Sequence, residues 1–312
     1  MESKKMRRVG ICLLILIFLI PAYHPQNPVT QAGMIRREIF SNFKAKQIIS
    51  YDHIQNAPII HGGYLSWMDT RLNDNEGKIM PRIYMKDLAK NEEKATPSYA
   101  KKSGARTQNR HRIAWSENSD RLKRPENFDI KVFDFKKGLT ETICKDKSRQ
   151  DNPQISDNFI IWRDWRNSAS SPDVWDFAVY GIDSNLKEEF VIKPNNVIGT
   201  AELFDNFVAL STKSPRGDFD VSIYNCVLQK HILITSELGD QISPKIVGDV
   251  VLWMDNKNST TQGHNKKTDI FGFSLKSRQT LTISTKVVRQ YGLTAGSSRY
   301  AVWLEDSDNT PT

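Results

Sequence analysis

The chain is short of the residues that tie a small secreted fold together or run a familiar catalytic site. It has three cysteines. Cys12 lies in an N-terminal apolar run, while Cys144 and Cys226 fall in different repeats on strands that should not touch. No bridge is therefore expected, and a disulfide scaffold is excluded. No HExxH, CxxC or G-x-S-x-G pattern occurs, which removes the zinc-hydrolase, thiol-redox and nucleophile-elbow chemistries that those motifs support. The six histidines are scattered. Residues 69–77 are rich in oxygen ligands but lack the ordered spacing and closing Glu of a calcium loop. No metal and no cofactor is expected. Basic residues come in short interrupted runs, KAK, KKSGAR and KKTD, without clustered stacking aromatics, so nucleic acid is not an expected partner. No stretch carries the period of a long helix.

One apolar run is present. Residues 1–8, MESKKMRR, give a basic start, and VGICLLILIFLIPA at 9–22 is a 14-residue apolar segment ending in a small residue. Crossing a bilayer takes roughly 20 apolar residues, so 1–22 is expected to be an export signal or a short uncleaved anchor. Ile20 is a poor partner for Ala22 in a small-x-small cleavage site, and Cys12 stands too early in the run for a lipoprotein acceptor. Residues 23–34, polar and with two prolines, suit a linker. The formal charge of +8 falls to about +5 without the first 22 residues and is spread over the chain. Residues 35–312 are expected to form a single domain.

The chain is rich in repetition. In residues 153–193, PQIS and NFIIW are separated by Asp157 and Asn158, and VWDFAVYGI and KEEFVIK by residues 183–185. Turn formers between short β-rich runs make two hairpins, joined here by the polar RDWRNSASSPD. Four strands of about five residues cannot bury their own apolar faces and need neighbours. The unit recurs along the chain. Its second strand is marked by Trp67, Trp115, Trp162, Trp253 and Trp303, with Leu210 in the fourth copy, at spacings of 48, 47, 48, 43 and 50 residues. Asp129 and Ile143, Asp220 and Ile234, and Asp269 and Ile283 are each 14 apart and set the register independently.

Five units are whole: 55–100, 104–148, 152–194, 197–236 and 241–286. Residues 37–50, REIFSNFKAKQIIS, match a second hairpin that lacks its first, and residues 293–309 a first hairpin that lacks its second. Together the two ends complete a sixth unit and close a ring, which leaves no exposed sheet edge at either end of the stack. The expected fold is all-β, a six-bladed β-propeller of four-stranded antiparallel blades. The recurring PxI-x-G/D-xxVxW-x-D-x-R … DI-aromatic pattern, clearest in 153–180 and 244–273, resembles the propeller repeats of the TolB-like superfamily and of related bacterial and archaeal surface proteins. The resemblance covers about residues 37–306 and implies six blades, export, and a role in protein–protein or cell-envelope interactions. It implies no chemistry, because the motif residues are those that build a blade.

The marker tryptophans are expected to pack between blades. Asp69 with Arg71, and Asp164 with Arg166, repeat as W-x-D-x-R, while Asp255 keeps only the carboxylate. Each Asp is expected to accept backbone N–H groups at the start of a turn while its Arg pairs locally; a ring of charged contacts is the functional alternative. The polar connections 68–82, 116–128, 163–174, 254–268 and the shorter 211–218 should emerge on one face, where loops on a rigid scaffold commonly bind. Trp165 is the strongest contact candidate, and His264 lies on the same rim. Asp52, Asp151 and Asp240 are the acids nearest the segments leading into the innermost strands. A propeller glycoside hydrolase or polysaccharide lyase would need such carboxylates near the axis. The expected protein is a monomeric, exported binding module that holds a protein or carbohydrate partner on its long-loop face, touching a membrane only through an uncleaved N-terminal segment.

Overall fold

The computed structural model describes residues 48–49, 54–71, 81–96, 103–118, 128–167, 176–182, 189–192, 201–259, 267–285, 289–295 and 300–305. Strands alone make up the regular structure among them. Blade 1 is β1 (Gln55–His61), β2 (Tyr64–Asp69), β3 (Arg82–Asp87) and β4 (Glu92–Ala95); blade 2 is β5 (Ser103–Asn109), β6 (Arg112–Glu117), β7 (Asp129–Asp134) and β8 (Leu139–Cys144). Blade 3 is β9 (Gln150–Ile155), β10 (Phe159–Asp164), β11 (Asp176–Gly181) and β12 (Glu189–Ile192); blade 4 is β13 (Ala201–Phe204), β14 (Phe207–Lys213), β15 (Phe219–Asn225) and β16 (Lys230–Leu233). Blade 5 is β17 (Gln241–Val247), β18 (Val250–Asp255), β19 (Asp269–Ser274) and β20 (Thr280–Ser284), and β21 (Gln290–Ala295) with β22 (Ala301–Glu305) forms a two-stranded sixth sheet.

Every sheet pairs its strands antiparallel in chain order, and each first strand lies beside the first strand of the next sheet, so the first strands are innermost. This is the expected β-propeller arrangement. The second strands run through the acid of the W-x-D motif rather than stopping at the tryptophan, because that acid pairs across to the first residue of the innermost strand: Gln55 with Asp69, Gln150 with Asp164, Gln241 with Asp255. In blade 4 the second strand likewise continues to Lys213.

Each bulged innermost strand carries the same irregularity. A register shift falls two to three residues into β1, β5, β9, β17 and β21, and in four of them the residue there has a positive φ: Ala57 at 48°, Asn152 at 51°, Ser243 at 54° and Gly292 at 67°. A bulge of this kind kinks the strand and re-aims the next side chain. That next residue is Pro58, Pro153, Pro244 or Leu293, the proline of the PxI pattern; a proline suits a place where the ladder is already broken.

The core is a series of seams between neighbouring blades. Trp115 packs with Ile83 and Met85 of blade 1, Trp162 with Ala114 and Ile130 of blade 2, and Trp253 with Ala209 and Val221 of blade 4. Leu210 does the same against Ile161 and Val179 of blade 3, and Trp303 packs on Leu252 and Ile270 of blade 5. These five markers thus face the preceding blade, while Trp67 and Trp253 also stack on an aromatic of their own sheet, Tyr84 and Phe271.

Of the residues expected to supply the second hairpin of blade 6, 37–47 lie outside the described residues. Ile48 and Ile49 pack on Leu65, Trp67 and Tyr84 of blade 1. This is the place that Ile143 and Cys144, at the end of blade 2, take against Trp162. The seam between the last and first blades differs from the others in its exposure. Val302 is 59% exposed, where the residues preceding the marker in blades 3 and 5, Ile161 and Leu252, are 0% and 6%. Across it, Ile60 is 46% exposed, against 8% for its counterpart Ile155.

Candidate binding face

On a strand, residues two apart point to the same side. The W-x-D spacing therefore brings an indole N–H to a carboxylate: Trp67 donates to Asp69 (3.1 Å), Trp162 to Asp164 (2.9 Å) and Trp253 to Asp255 (3.4 Å). Blades 2 and 6 do the same with Glu, Trp115 to Glu117 at 2.9 Å and Trp303 to Glu305 at 3.1 Å. A buried indole needs such an acceptor. Blade 4, with Leu210, needs none and has Thr212 in the acid's place.

The cation two residues further completes the unit. Asp69 accepts the Arg71 backbone N–H at 2.8 Å and the guanidinium at 2.7 and 3.0 Å. Arg71 also lies over the Tyr84 ring at 4.0 Å and reaches Glu93 of β4 at 2.7 Å. Asp164 accepts from Arg166 in the same way, at 2.9 Å from the amide and 2.6 and 3.0 Å from the guanidinium. Arg166 then contacts Cys144 Sγ of blade 2 at 3.2 Å and Glu189 of β12. Cys144, Asp164 and Glu189 present donor atoms within 4.8 Å of one another, and the Arg166 guanidinium supplies the positive charge among them. In blade 5, Lys257 replaces Arg: its amide reaches Asp255 at 2.8 Å, its ammonium stands 3.9 Å off, and it lies 4.2 Å over Phe271.

The Asp69 and Asp255 carboxylates differ. Burial raises the Asp69 pKa, but hydrogen bonds from Arg71, Trp67 and the Arg71 amide outweigh it and hold the group below its ordinary value. At Asp255 burial prevails over the Lys257 amide and charge, and the pKa is raised. These motif residues are engaged in hydrogen bonds at the blade ends. Glu93, Glu117, Glu189 and Glu305 are members of the network that the motif did not reveal; Glu117 and Glu305 were detectable as acids two residues after a marker Trp, whereas Glu93 and Glu189 sit on fourth strands with no local signal.

The ends of the second strands, the starts of the third and the starts of the innermost strands share one end of each sheet: Asp164 pairs with Asp176 and with Gln150. On this face blade 3 has a group that its sisters lack. Trp165 is half-buried, its amide donates to Arg149 O at 3.1 Å, and the guanidinium carbons of Arg149 and Arg163 stand 5.0 and 5.3 Å from its ring centroid. Both arginines hold Asp151, Arg149 at 2.6 Å and Arg163 at 2.7 Å. The corresponding positions of blade 5 are Asn256 for Trp165, Asp240 for Arg149, Met254 for Arg163 and Ile242 for Asp151.

Of the axial candidates, Asp151 is thus buried under two guanidinium groups, and Asp240 forms a reciprocal pair with Asn256, 2.8 Å through the side-chain amide and 2.7 Å through its own backbone N–H. Asp52 and His264 lie outside the described residues.

With this geometry in hand, comparison with solved structures supports a β-propeller. The β-propeller domain of the Trilobed protease from Pyrococcus furiosus, described as having an open velcro topology, aligns at a TM-score of 0.56 with 11% identity, covering 82% of this chain and 78% of that one. A prolyl endopeptidase aligns at 0.61 with 11% identity over 85% of this chain and 40% of that one. TolB from Acinetobacter baumannii is also matched, at 13% identity over 83% of this chain and 59% of that one, with a TM-score of 0.41. The chain therefore spans well under two thirds of the endopeptidase and of TolB, and identities at this level establish the fold alone. No protein-family model matches the chain, and no curated protein matches it in sequence.

Proposed function

We propose that the protein is an exported, monomeric binding module that holds a protein partner on the face formed by its long loops. The observation that carries this reading is the Trp165 group. It departs from the blade pattern, it is half-exposed, and it joins an aromatic ring to two arginines, the residue types that dominate binding energy at protein interfaces. Arg149 and Arg163 stand against the ring, whereas a stacked sugar needs a bare aromatic face. An acidic protein surface is thus favoured over a carbohydrate. Export rests on the composition of residues 1–22. An enzymatic role has less support, since Asp151 and Asp240 are both committed to partners within the fold.

The test is partner capture with a photo-crosslinker on the full-length chain from its native extract, comparing wild type with W165A and R149Q. Both variants should lose the captured protein, while V227S/L228S, in the hairpin at the other end of blade 4, should keep it. Equal capture by all four proteins would remove the assignment of this face. A phosphatase reporter active only outside the cytoplasm, fused after residue 34, tests export; an inactive fusion would refute it.

A further inference from the structure

The residue that follows the bulge on the innermost strands is Pro58, Pro153, Pro244 or Leu293, and in the unbulged blade 4 the position across from the marker is Ala201. In blade 2 it is Arg106, which pairs across to Trp115. Five apolar residues and one arginine at one repeated position mark Arg106 as belonging to this protein rather than to the blade pattern.

Its surroundings sharpen the contrast. Trp115 faces blade 1, so Arg106, on the same side of the pair, faces that seam too. Both terminal guanidinium nitrogens are buried and have no hydrogen-bond partner among the described residues. The residue as a whole is only partly buried. Long basic side chains ordinarily bury the stem and keep the head in water; Arg106 buries its head. With no carboxylate among the described residues opposing it, burial alone pulls its pKa down to about 10, which still leaves it charged at neutral pH. On the blade 1 wall of the same seam, Ser66 pairs with Met85, one of the residues packed against Trp115, and its hydroxyl is also buried without a partner. An unpaired buried charge is among the more destabilising features that a fold can retain.

We propose that Arg106 is the charge partner of a small oxyanion, a carboxylate or phosphate group, received at the axial end of the seam between blades 1 and 2, with the Ser66 hydroxyl as a further donor. The planar two-nitrogen fork of an arginine suits either group. Because both nitrogens and the Ser66 hydroxyl are sealed in, the anion replaces packing contacts in the seam rather than filling an open pocket. The proposal is independent of the Trp165 face, which lies on another blade.

The experiment is thermal unfolding and titration calorimetry of the full chain with inorganic phosphate and with acetate in separate arms, each against chloride at equal ionic strength. Wild type should gain roughly 3–6 °C in at least one arm at saturating anion. R106M and R106L should show no gain beyond chloride and should melt above wild type when no anion is added. R106K, which keeps the charge without the fork, should bind about tenfold more weakly and guards against misfolding of the apolar variants. A response to phosphate alone assigns a phosphate group, and to acetate alone a carboxylate. The proposal is overturned if wild type responds to neither anion, if R106M gains as much as wild type, or if R106K titrates as wild type does.

Discussion

The indole nitrogen of Trp162 lies 2.9 Å from the carboxylate of Asp164, two residues further along one strand, and the same oxygen accepts the Arg166 guanidinium at 2.6 Å. Trp162 and Asp164 are both fully buried. Removing the carboxylate strands the Trp162 indole, the Arg166 amide and the charged Arg166 guanidinium at once, and leaves Glu189 as the other acid on Arg166. Asp164→Ala should therefore destabilise by about 3–5 kcal/mol, read as a lower urea midpoint at unchanged slope. A loss under about 1 kcal/mol would mean that the network does not hold the blade end.

Asp69 and Asp255 occupy equivalent positions yet should respond oppositely to acid. The folded-state pKa of Asp69 is depressed, so its stabilisation is present above the ordinary carboxylate value and is lost as pH falls through the depressed one. That of Asp255 is raised; its charge opposes folding at neutral pH, and the penalty is relieved as pH falls through the raised value. Asp69→Asn should thus cost more at pH 7 than at pH 3, while Asp255→Asn should be the milder change at pH 7. Lys257→Arg should restore the fork and reduce the Asp255 penalty. Melting curves between pH 3 and 7 decide this, and parallel pH profiles for the two Asn variants would contradict it.

The fold was legible because a blade's own needs recur: a marker Trp to fill a seam, an acid for its indole, turn formers between strands. The Gln that begins the innermost strand was legible too, 14 residues before the acid in Gln55–Asp69, Gln150–Asp164 and Gln241–Asp255, but a lone Gln resembles any polar residue near a turn. Its role emerges only from the pairing that sets it beside the acid. Glu93 and Glu189 were hidden because their arginine partners reach them across the sheet, 22 and 23 residues away in sequence. Arg106 stood in plain view as an arginine in the proline position, but only burial shows that its head is sealed in. Trp165 was singled out for departing from the repeat, and the two arginines over its ring were found only in three dimensions.

Ala57 holds a φ of 48° in an exposed bulge, a conformation that costs a residue with a Cβ about 1–2 kcal/mol. Glycine relieves this but loses more chain entropy on folding. Ala57→Gly should leave a net gain of about 0.5–1 kcal/mol, seen as a rise in the denaturant midpoint. Asn152→Gly, where Asn already tolerates this region, should give less. An equal or larger gain at Asn152 would show that backbone strain is not the controlling factor.

Cys144 and Cys226 are unbridged and buried, and burial pushes both thiols up to about 12. Neither should react with a disulfide-exchange reagent at pH 8 in the folded protein, since the thiolate is the reactive form. After unfolding, two thiols should titrate if residues 1–22 are removed, and a third, Cys12, if they are kept. Rapid labelling of the native protein would place one of these residues outside the seams.

Ring closure makes the most demanding prediction. Ile49 is buried on Leu65, Trp67 and Tyr84, in the place where the end of a preceding blade sits elsewhere, and the walls of that seam expose Val302 and Ile60, at positions buried in the sister blades. Apolar residues on both walls are expected to be covered if residues 37–50 complete the sixth blade. Deleting residues 35–52 should then lower the melting temperature by about 10 °C or more, because it removes half a blade and uncovers Trp67. Val302→Asp discriminates further. In a closed ring it buries an unpaired carboxylate and costs about 2–4 kcal/mol; in an open one it is a surface change within about 0.5 kcal/mol. A truncated chain that melts like the parent, together with a neutral Val302→Asp, would leave the propeller open between its last and first blades.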